Sequence, residues 1–206
     1  MSAFLGPIHY WLYHKIQLQQ AIVDEIFDLG RMCGVALEEE CNSLYGVFEN
    51  KPLEEMIDHG NIHGWLQERV SQVEYKYAYS VTTLLGRNPE AYGSIKNIVA
   101  NNGTDMAIFL KELPFDVSRI YKTIGDNLLD GMPCDHVNRV IKEDDREVIW
   151  TREQCVHSQY WDEVGGDIKI YYELRDIWIE ALVKELGFLF DKPQENTYRI
   201  RAYGAD

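Results

Sequence analysis

The sequence has few basic residues for its number of acidic ones. Lysine and arginine together number 20, against 34 aspartates and glutamates, so the formal net charge is −14 at pH 7. A nucleic-acid-binding surface needs basic side chains that neutralise phosphates, and anionic membrane surfaces attract basic segments. The charge balance therefore predicts neither a nucleic-acid partner nor a membrane partner, and it favours solubility.

Long apolar runs are also missing. No stretch approaches the roughly 18 uncharged apolar residues that a membrane-spanning helix needs. The apolar run near the N-terminus is short, contains His9 and His14, and is not followed by the small residues of a signal cleavage site. We therefore expect a cytoplasmic protein in which the four cysteines are reduced.

The common sequence motifs of catalysis do not occur. There is no glycine-rich dinucleotide or phosphate loop, no Gly-x-Ser-x-Gly and no His-Glu-x-x-His. The pair Glu-x-x-His, which supplies ligands in di-iron helical bundles, is missing as well. No motif indicates a particular reaction, so the sequence leaves open whether the protein is an enzyme.

What the sequence does contain is apolar residues at helical spacing through most of its length. Pro7 suits the first turn of a helix, and the pattern predicts a long helix from there to about residue 30. The next segment is predicted to continue as helix until Pro52, with a break or kink near Gly34. A second long helix is predicted from a cap at Asp58 to about residue 86.

Shorter helix patterns follow. One ends at residues 101–103, where Asn-Asn-Gly is a typical stop signal, and the next begins at Thr104. Pro114 opens a further helical segment. The clearest pattern of all follows a Gly-Gly-Asp start and ends at Gly187.

Between these helices the apolar period changes from helical to alternating. After Gly131 the residues alternate around Asp144-Asp145, which predicts a β-hairpin, and residues 197–204 alternate again and predict a third strand. We therefore predict a mainly α (α+β) fold, a multi-helix bundle with a small antiparallel hairpin or three-stranded sheet near the C-terminus.

The domain organisation follows from this order of elements. No linker, repeat or low-complexity segment interrupts the chain, so residues 1–206 are predicted to form a single domain. Within it, residues 1–131 form the helical bundle. Residues 132–206 add the hairpin, a long helix and the C-terminal strand, packed on that bundle.

The hairpin segment begins and ends with Cys-x-His. If Asp144 and Asp145 form a two-residue turn, Lys142 pairs with Glu147, and Arg139 lies opposite Trp150. The same register places two thiols and two imidazoles on one face, with the two cysteines opposite each other. These four residues are Cys134, His136, Cys155 and His157. They are interpreted as a metal site, a Cys134–Cys155 disulfide, a reactive thiol or ordinary packing.

Three further histidines are candidate metal ligands. His59 and His63 are four residues apart, which places them on one side of a helix, and His9 lies at the edge of the apolar face of the first helix. Three residues could supply carboxylate or amide partners inside the bundle. They are Glu25, Gln67 and Glu74.

Three functions remain open on this basis. The first is binding of a metal ion, zinc or iron, or of a small molecule, through the His and Cys side chains above. The second is a thiol-dependent enzyme in which Cys155 is the nucleophile and His157 or His136 the base. The third is a non-enzymatic interaction or sensor module, for which a homo-oligomer is a possible assembly.

Overall fold

The computed structural model describes residues 4–111 and 114–204. The helices within these ranges are α1 (Pro7–Met32), α2 (Leu37–Tyr45), α3 (Leu53–Met56), α4 (Ile62–Arg87), α5 (Tyr92–Leu110), α6 (Val117–Asn127), α7 (Ser158–Glu163) and α8 (Ile168–Glu185). The strands are β1 (Asn138–Glu143), β2 (Glu147–Arg152), β3 (Leu189–Gln194) and β4 (Thr197–Arg201). The predicted α+β class with an antiparallel sheet near the C-terminus is therefore confirmed.

Side-chain caps explain where several helices begin. Asn61 accepts a hydrogen bond from the backbone of Gly64 at the start of α4, and this cap replaces the one predicted at Asp58. Asp116 caps α6 and Asp167 caps α8 through the same kind of bond. At the end of α8, Gly187 adopts a φ of 85°, which is the left-handed conformation that glycine adopts at low cost.

Two helix predictions were wrong. The segment predicted as helix up to Pro52 ends at Tyr45. The break predicted near Gly34 is confirmed, because Gly34 adopts a left-handed φ of 73° between α1 and α2. The stop predicted at residues 101–103 does not exist, because α5 runs through it without a break. Gly103 is needed for close packing, since a Cβ atom there would lie 2.5 Å from the backbone oxygen of Trp178 in α8.

The buried core joins the helices to the sheet. Helix α5 packs along α8, and α1 packs along α4. The core includes Ile16, Val81 and Leu182 from the helices together with Trp150 and Ile200 from the sheet. In the described part of the chain, no helix has the length and apolar character that crossing a membrane requires.

The antiparallel sheet has the strand order β1-β2-β4-β3. Strand β4 is the third strand that the sequence predicted, and it pairs with β2. Strand β3 was not predicted. It is an edge strand that contains Pro193, and proline weakens a strand pattern because it cannot donate to the ladder.

The predicted hairpin register was wrong by one to two residues. Val140 pairs with Trp150, and Lys142 pairs with Ile149. The register shifts because β1 has a bulge between Val140 and Lys142. The turn is also longer than two residues. The Asp144 side chain accepts hydrogen bonds from the backbone of Arg146 and Glu147, which draws both residues into the turn.

Candidate functional site

His157 lies at the centre of a buried polar network. Its side chain is 1% exposed, and its Nδ1 lies 3.0 Å from Oε2 of Glu74, which is equally buried on α4. Its Nε2 lies 2.9 Å from the hydroxyl oxygen of Tyr171 on α8 and 3.6 Å from Oδ1 of Asp130. One imidazole therefore connects α4, α8 and the loop that follows α6.

The surroundings of His157 favour its charged form. Burial lowers the pKa of the imidazole, but the carboxylates of Glu74 and Asp130 outweigh this and raise the pKa to about 9. At neutral pH the ring therefore carries two N–H groups. One donates to Glu74 and the other to the oxygen of Tyr171.

Asp130 connects this histidine to a second cation. Its Oδ2 accepts hydrogen bonds from Nη2 of Arg175 at 2.9 Å and from Nδ2 of Asn138 at 3.1 Å. Burial would raise the pKa of Asp130, but the Arg175 guanidinium and the imidazole hold it well below its ordinary value. The carboxylate is therefore ionised and fully engaged.

Two cavities flank this network and meet at Gly131. The first, which we call the Glu74 cavity, has a volume of about 400 Å³. It is lined by Glu74, His157 and Cys155, and also by Gln67 and Asp135. Oε1 of Glu74 is buried and has no hydrogen-bond partner among the described residues.

The second cavity, which we call the Lys15 cavity, has a volume of about 290 Å³ and lies between α1, α6, α8 and the sheet. Its aromatic lining consists of Trp11, Tyr121 and Trp150. Its charged lining consists of Lys15, Lys122 and Arg175 with Asp126 and Asp130. The cavity is open to solvent, because the lining residues Lys122 and His136 are exposed.

Gly131 keeps the two cavities adjacent. It lines both of them, and its φ of 70° lies in the left-handed region. A Cβ atom at this position would collide with the carboxylate of Asp135. The loop between Asp130 and Asp135 therefore depends on glycine for its path.

Lys15 is an unusual residue for a helix core. It is 3% exposed, and its Nζ lies 4.0 Å from the centroid of the Trp11 ring, a cation–π contact. Within the described ranges, no carboxylate lies at ion-pairing distance from this nitrogen. Burial lowers the pKa of Lys15 to about 8, against the opposing effect of Asp130.

The other charges of the Lys15 cavity are paired. Lys122 contacts Asp126, and Asp126 also accepts a hydrogen bond from Nε1 of Trp11 at 3.0 Å. Arg175 is paired with Asp130 through Nη2, while its buried Nη1 has no hydrogen-bond partner in the described part of the chain. Three cations thus face two carboxylates, in a protein whose overall charge is −14.

The four residues of the Cys-x-His pairs do not share one strand face. Cys134 lies in a 3₁₀ turn before β1, and His136 follows it with a φ of 48°, so both precede the strand. Cys155 lies beyond the end of β2. Three of the four residues are exposed and His157 is buried, and no disulfide forms because both cysteines are free.

The predicted pair of Cys155 and His157 does line one cavity. Sγ of Cys155 accepts a hydrogen bond from the hydroxyl of Tyr172 at 3.0 Å. Both ring nitrogens of His157 are occupied by Glu74 and Tyr171. In this arrangement the imidazole does not serve Cys155 as a base, and the thiol-dependent enzyme stays a prediction.

Two of the three other histidines that were predicted as metal ligands, His9 and His63, lie close together. The rings of His9 and His63 have centroids 5.6 Å apart, but Nδ1 of His9 already accepts a hydrogen bond from the backbone of Gly6. The prediction that His59 and His63 share one side of a helix was wrong, because His59 precedes the start of α4. Residues 4–111 and 114–204 contain no group of three or more His, Cys, Asp and Glu side chains suited to a metal ion, and a zinc or iron site stays a prediction.

The sequence indicated some residues of the site and missed others. Glu74 and Gln67 were predicted as carboxylate or amide partners, and both line the Glu74 cavity. Lys15 and Arg175 were missed, although each lies at helical spacing from apolar residues that are buried. The signal that could have indicated Lys15 and Arg175 was a charged residue among the apolar residues of a buried helix face.

The comparisons with known proteins add no relative. No family model, no curated protein and no solved structure matches this chain. The geometry of the site is therefore the basis of the function proposed below.

Proposed function

We propose that this protein binds a small organic anion with a flat apolar part in the Lys15 cavity. The observation that carries the proposal is Lys15 itself, a buried cation without an ion-pair partner among the described residues, beside a cavity. An isolated buried charge is costly, and a bound carboxylate would compensate it.

The lining of the cavity supports this class of ligand. Trp11, Tyr121 and Trp150 offer flat apolar surfaces, and aromatic side chains contribute large contact areas at low entropic cost. The volume of about 290 Å³ lies just below the range of about 300–1,000 Å³ that is usual for small-molecule sites. A compact ligand with one ring fits these features better than a nucleotide.

The network around His157 supports a preorganised site. Asp130 is held by Arg175, Asn138 and His157, so the carboxylate does not turn to neutralise Lys15. The positive charge of Lys15 therefore stays available to a ligand. We also propose a cytoplasmic location, in keeping with four cysteines that are all free thiols.

Calorimetric titration with benzoate tests the proposal. We expect benzoate to bind the wild-type protein and to bind the Lys15→Met variant at least about tenfold more weakly, because a desolvated charge contact contributes about 1.4 kcal/mol or more. The variant keeps most of the unbranched apolar stem of the side chain and removes the terminal ammonium group.

Lys76→Met is the matched control. Lys76 is also a buried lysine, but its Nζ donates to Oδ1 of Asn42 at 2.6 Å and it lines neither cavity. Benzoate affinity should be unchanged in this variant. The proposal is wrong if benzoate and related aromatic carboxylates do not bind, or if both lysine variants bind as the wild type does.

A further inference from the structure

We propose that Lys15 forms a reversible imine with a ligand that carries a carbonyl group next to its carboxylate, an oxo acid. This inference rests on the proposed function, since the same cavity must first admit the anion. It adds a covalent step and a narrower class of ligand. Four observations on Lys15 and its neighbours support it.

The first observation is the fraction of neutral amine. Only an unprotonated amine is a nucleophile, and lysines that form imines are activated by desolvation or by a neighbouring cation. Lys15 has both, because it is buried and the charge of Arg175 disfavours its protonation. With a pKa of about 8, about a tenth of Lys15 is unprotonated at pH 7, against fewer than about one in a thousand at the ordinary value of 10.5.

The second observation is that the Lys15 amine is not engaged elsewhere. Its nitrogen contacts the face of Trp11, and no acceptor among the described residues binds it. Lys76 differs on this point. Burial lowers its pKa too, but its nitrogen is hydrogen-bonded to Asn42 and faces neither cavity.

The third observation is that the cavity has a second cationic group, Arg175, that can bind the carboxylate of the ligand. Nη1 of Arg175 is buried and unpaired within the described ranges, and Arg175 lines the same cavity as Lys15. A planar guanidinium matches a carboxylate in geometry and stays charged at all relevant pH values. When Arg175 holds the carboxylate, Lys15 is free to react as an amine and need not remain its counter-ion.

The fourth observation is that the cavity lets water and protons leave. The Lys15 nitrogen attacks the carbonyl carbon, the C–N bond forms, and the carbonyl electron pair moves to oxygen. One proton passes from nitrogen to that oxygen and gives a carbinolamine. The second nitrogen proton then reaches the hydroxyl group, the C–O bond breaks, water departs and C=N remains, so that no oxidant or reductant is needed. The opening beside Lys122 and His136 gives the released water a path to solvent.

Reductive trapping of the full chain tests this inference. The protein is incubated with glyoxylate, the smallest oxo acid, and cyanoborohydride, which reduces the imine to a stable secondary amine. Peptide mass mapping then follows each lysine over time. We expect Lys15 to be modified at least about tenfold faster than Lys76 and the exposed Lys184, which lines neither cavity, and benzoate to slow the modification of Lys15 alone.

Acetaldehyde is the matched control probe, because it has the carbonyl group but no carboxylate. With acetaldehyde, the rate of modification of Lys15 should exceed that of the other lysines by much less than it does with glyoxylate. The readout uses wild-type protein, so it does not depend on whether a variant folds. An equal rate at Lys15 and at exposed lysines overturns the inference.

The calorimetric titration separates this failure from that of the proposed function. If benzoate binds but glyoxylate does not modify Lys15 preferentially, the imine is excluded and the anion site stands. If benzoate does not bind and Lys15 shows no preference, both ideas fall. Preferential modification that benzoate does not affect would also overturn the inference, since the imine would then form outside the proposed anion site.

Discussion

At the scale of single residues, His157 determines how buried charge is arranged in this protein. Its imidazole lies between Glu74 and the Asp130–Arg175 pair, so each cation has a carboxylate beside it. Lys15 is the exception close to this network. The network therefore holds its side chains in place, and Lys15 is the positive charge with which a bound anion would interact.

Replacement of His157 tests the structural role of the network. We expect His157→Leu to lower the free energy of unfolding by about 3–5 kcal/mol, because it leaves the buried Glu74 without its cation. Urea denaturation measures this loss.

The double variant Glu74→Leu/His157→Leu is the control for this prediction. It should recover a large part of the stability, since a buried ion pair replaced by apolar residues is often close to neutral. A single variant as stable as the wild type would show that the pair contributes nothing.

At the scale of elements, α5 and α8 approach unusually closely at Gly103. The continuous helix α5 gains its length from this packing, although its local sequence has a strong stop signal. Tertiary contact has overridden local preference here, as it often does for weak propensities. The same contact explains why the two predicted short helices are one.

A pair of glycine variants on α5 measures the cost of that approach. Gly103→Ala should destabilise the protein by about 1–3 kcal/mol, because its Cβ would overlap the backbone oxygen of Trp178. Gly93→Ala has open space and should stabilise the protein by up to about 1 kcal/mol through helix propensity. Thermal or urea unfolding gives both values, and equal effects of the two variants would contradict the packing argument.

The sheet shows a similar division between local and tertiary effects. Alternation correctly predicted β1, β2 and β4 as strands and β1 with β2 as a hairpin, but the predicted register of that hairpin was wrong. The register depends on the bulge in β1 and on the Asp144 side chain in the turn, and both are details that a two-residue turn does not contain. The predicted contact of Lys142 with Glu147 nevertheless forms, at 2.7 Å, because long side chains tolerate a small register shift.

At the scale of the whole molecule, stability should depend on pH through the buried network. The folded-state pKa of His157 is raised from 6.5 to about 9, so its contribution is fully present below about pH 6.5 and is lost as the pH rises through 9. Asp130 acts in the opposite direction. Its lowered pKa gives a contribution that is present above about pH 4 and is lost on acidification.

Unfolding experiments at pH 6 and pH 9.5 test the histidine part of this dependence. The stability difference between the wild type and His157→Leu should shrink by about 3 kcal/mol between the two pH values. Lys15 contributes with the opposite sign, since its lowered pKa relieves a buried charge as the pH rises above about 8, but it is present in both proteins and cancels in the difference. A difference independent of pH would mean that His157 is not charged in the folded protein.

The sequence alone determined several elements of this fold, because the spacing of apolar residues reports the period of a helix or strand. It gave α1, α4 and α8, the change to strands after Gly131, and the C-terminal strand. It also indicated Cys155 and His157 as one candidate pair and Glu74 as a separate partner candidate inside the bundle, and the structure places all three in the lining of one cavity.

Only the tertiary structure decided which charges meet. Lys15 lies on α1, Asp130 in the loop after α6 and Arg175 on α8, and packing of these distant segments brings them to one cavity. Periodicity assigns a residue to the inner face of its own helix, but it contains no information about the residue opposite. The network exists because burial favours the pairing of charges across the core, and the packing of the whole chain decides which charges pair and leaves Lys15 without an ion-pair partner among the described residues.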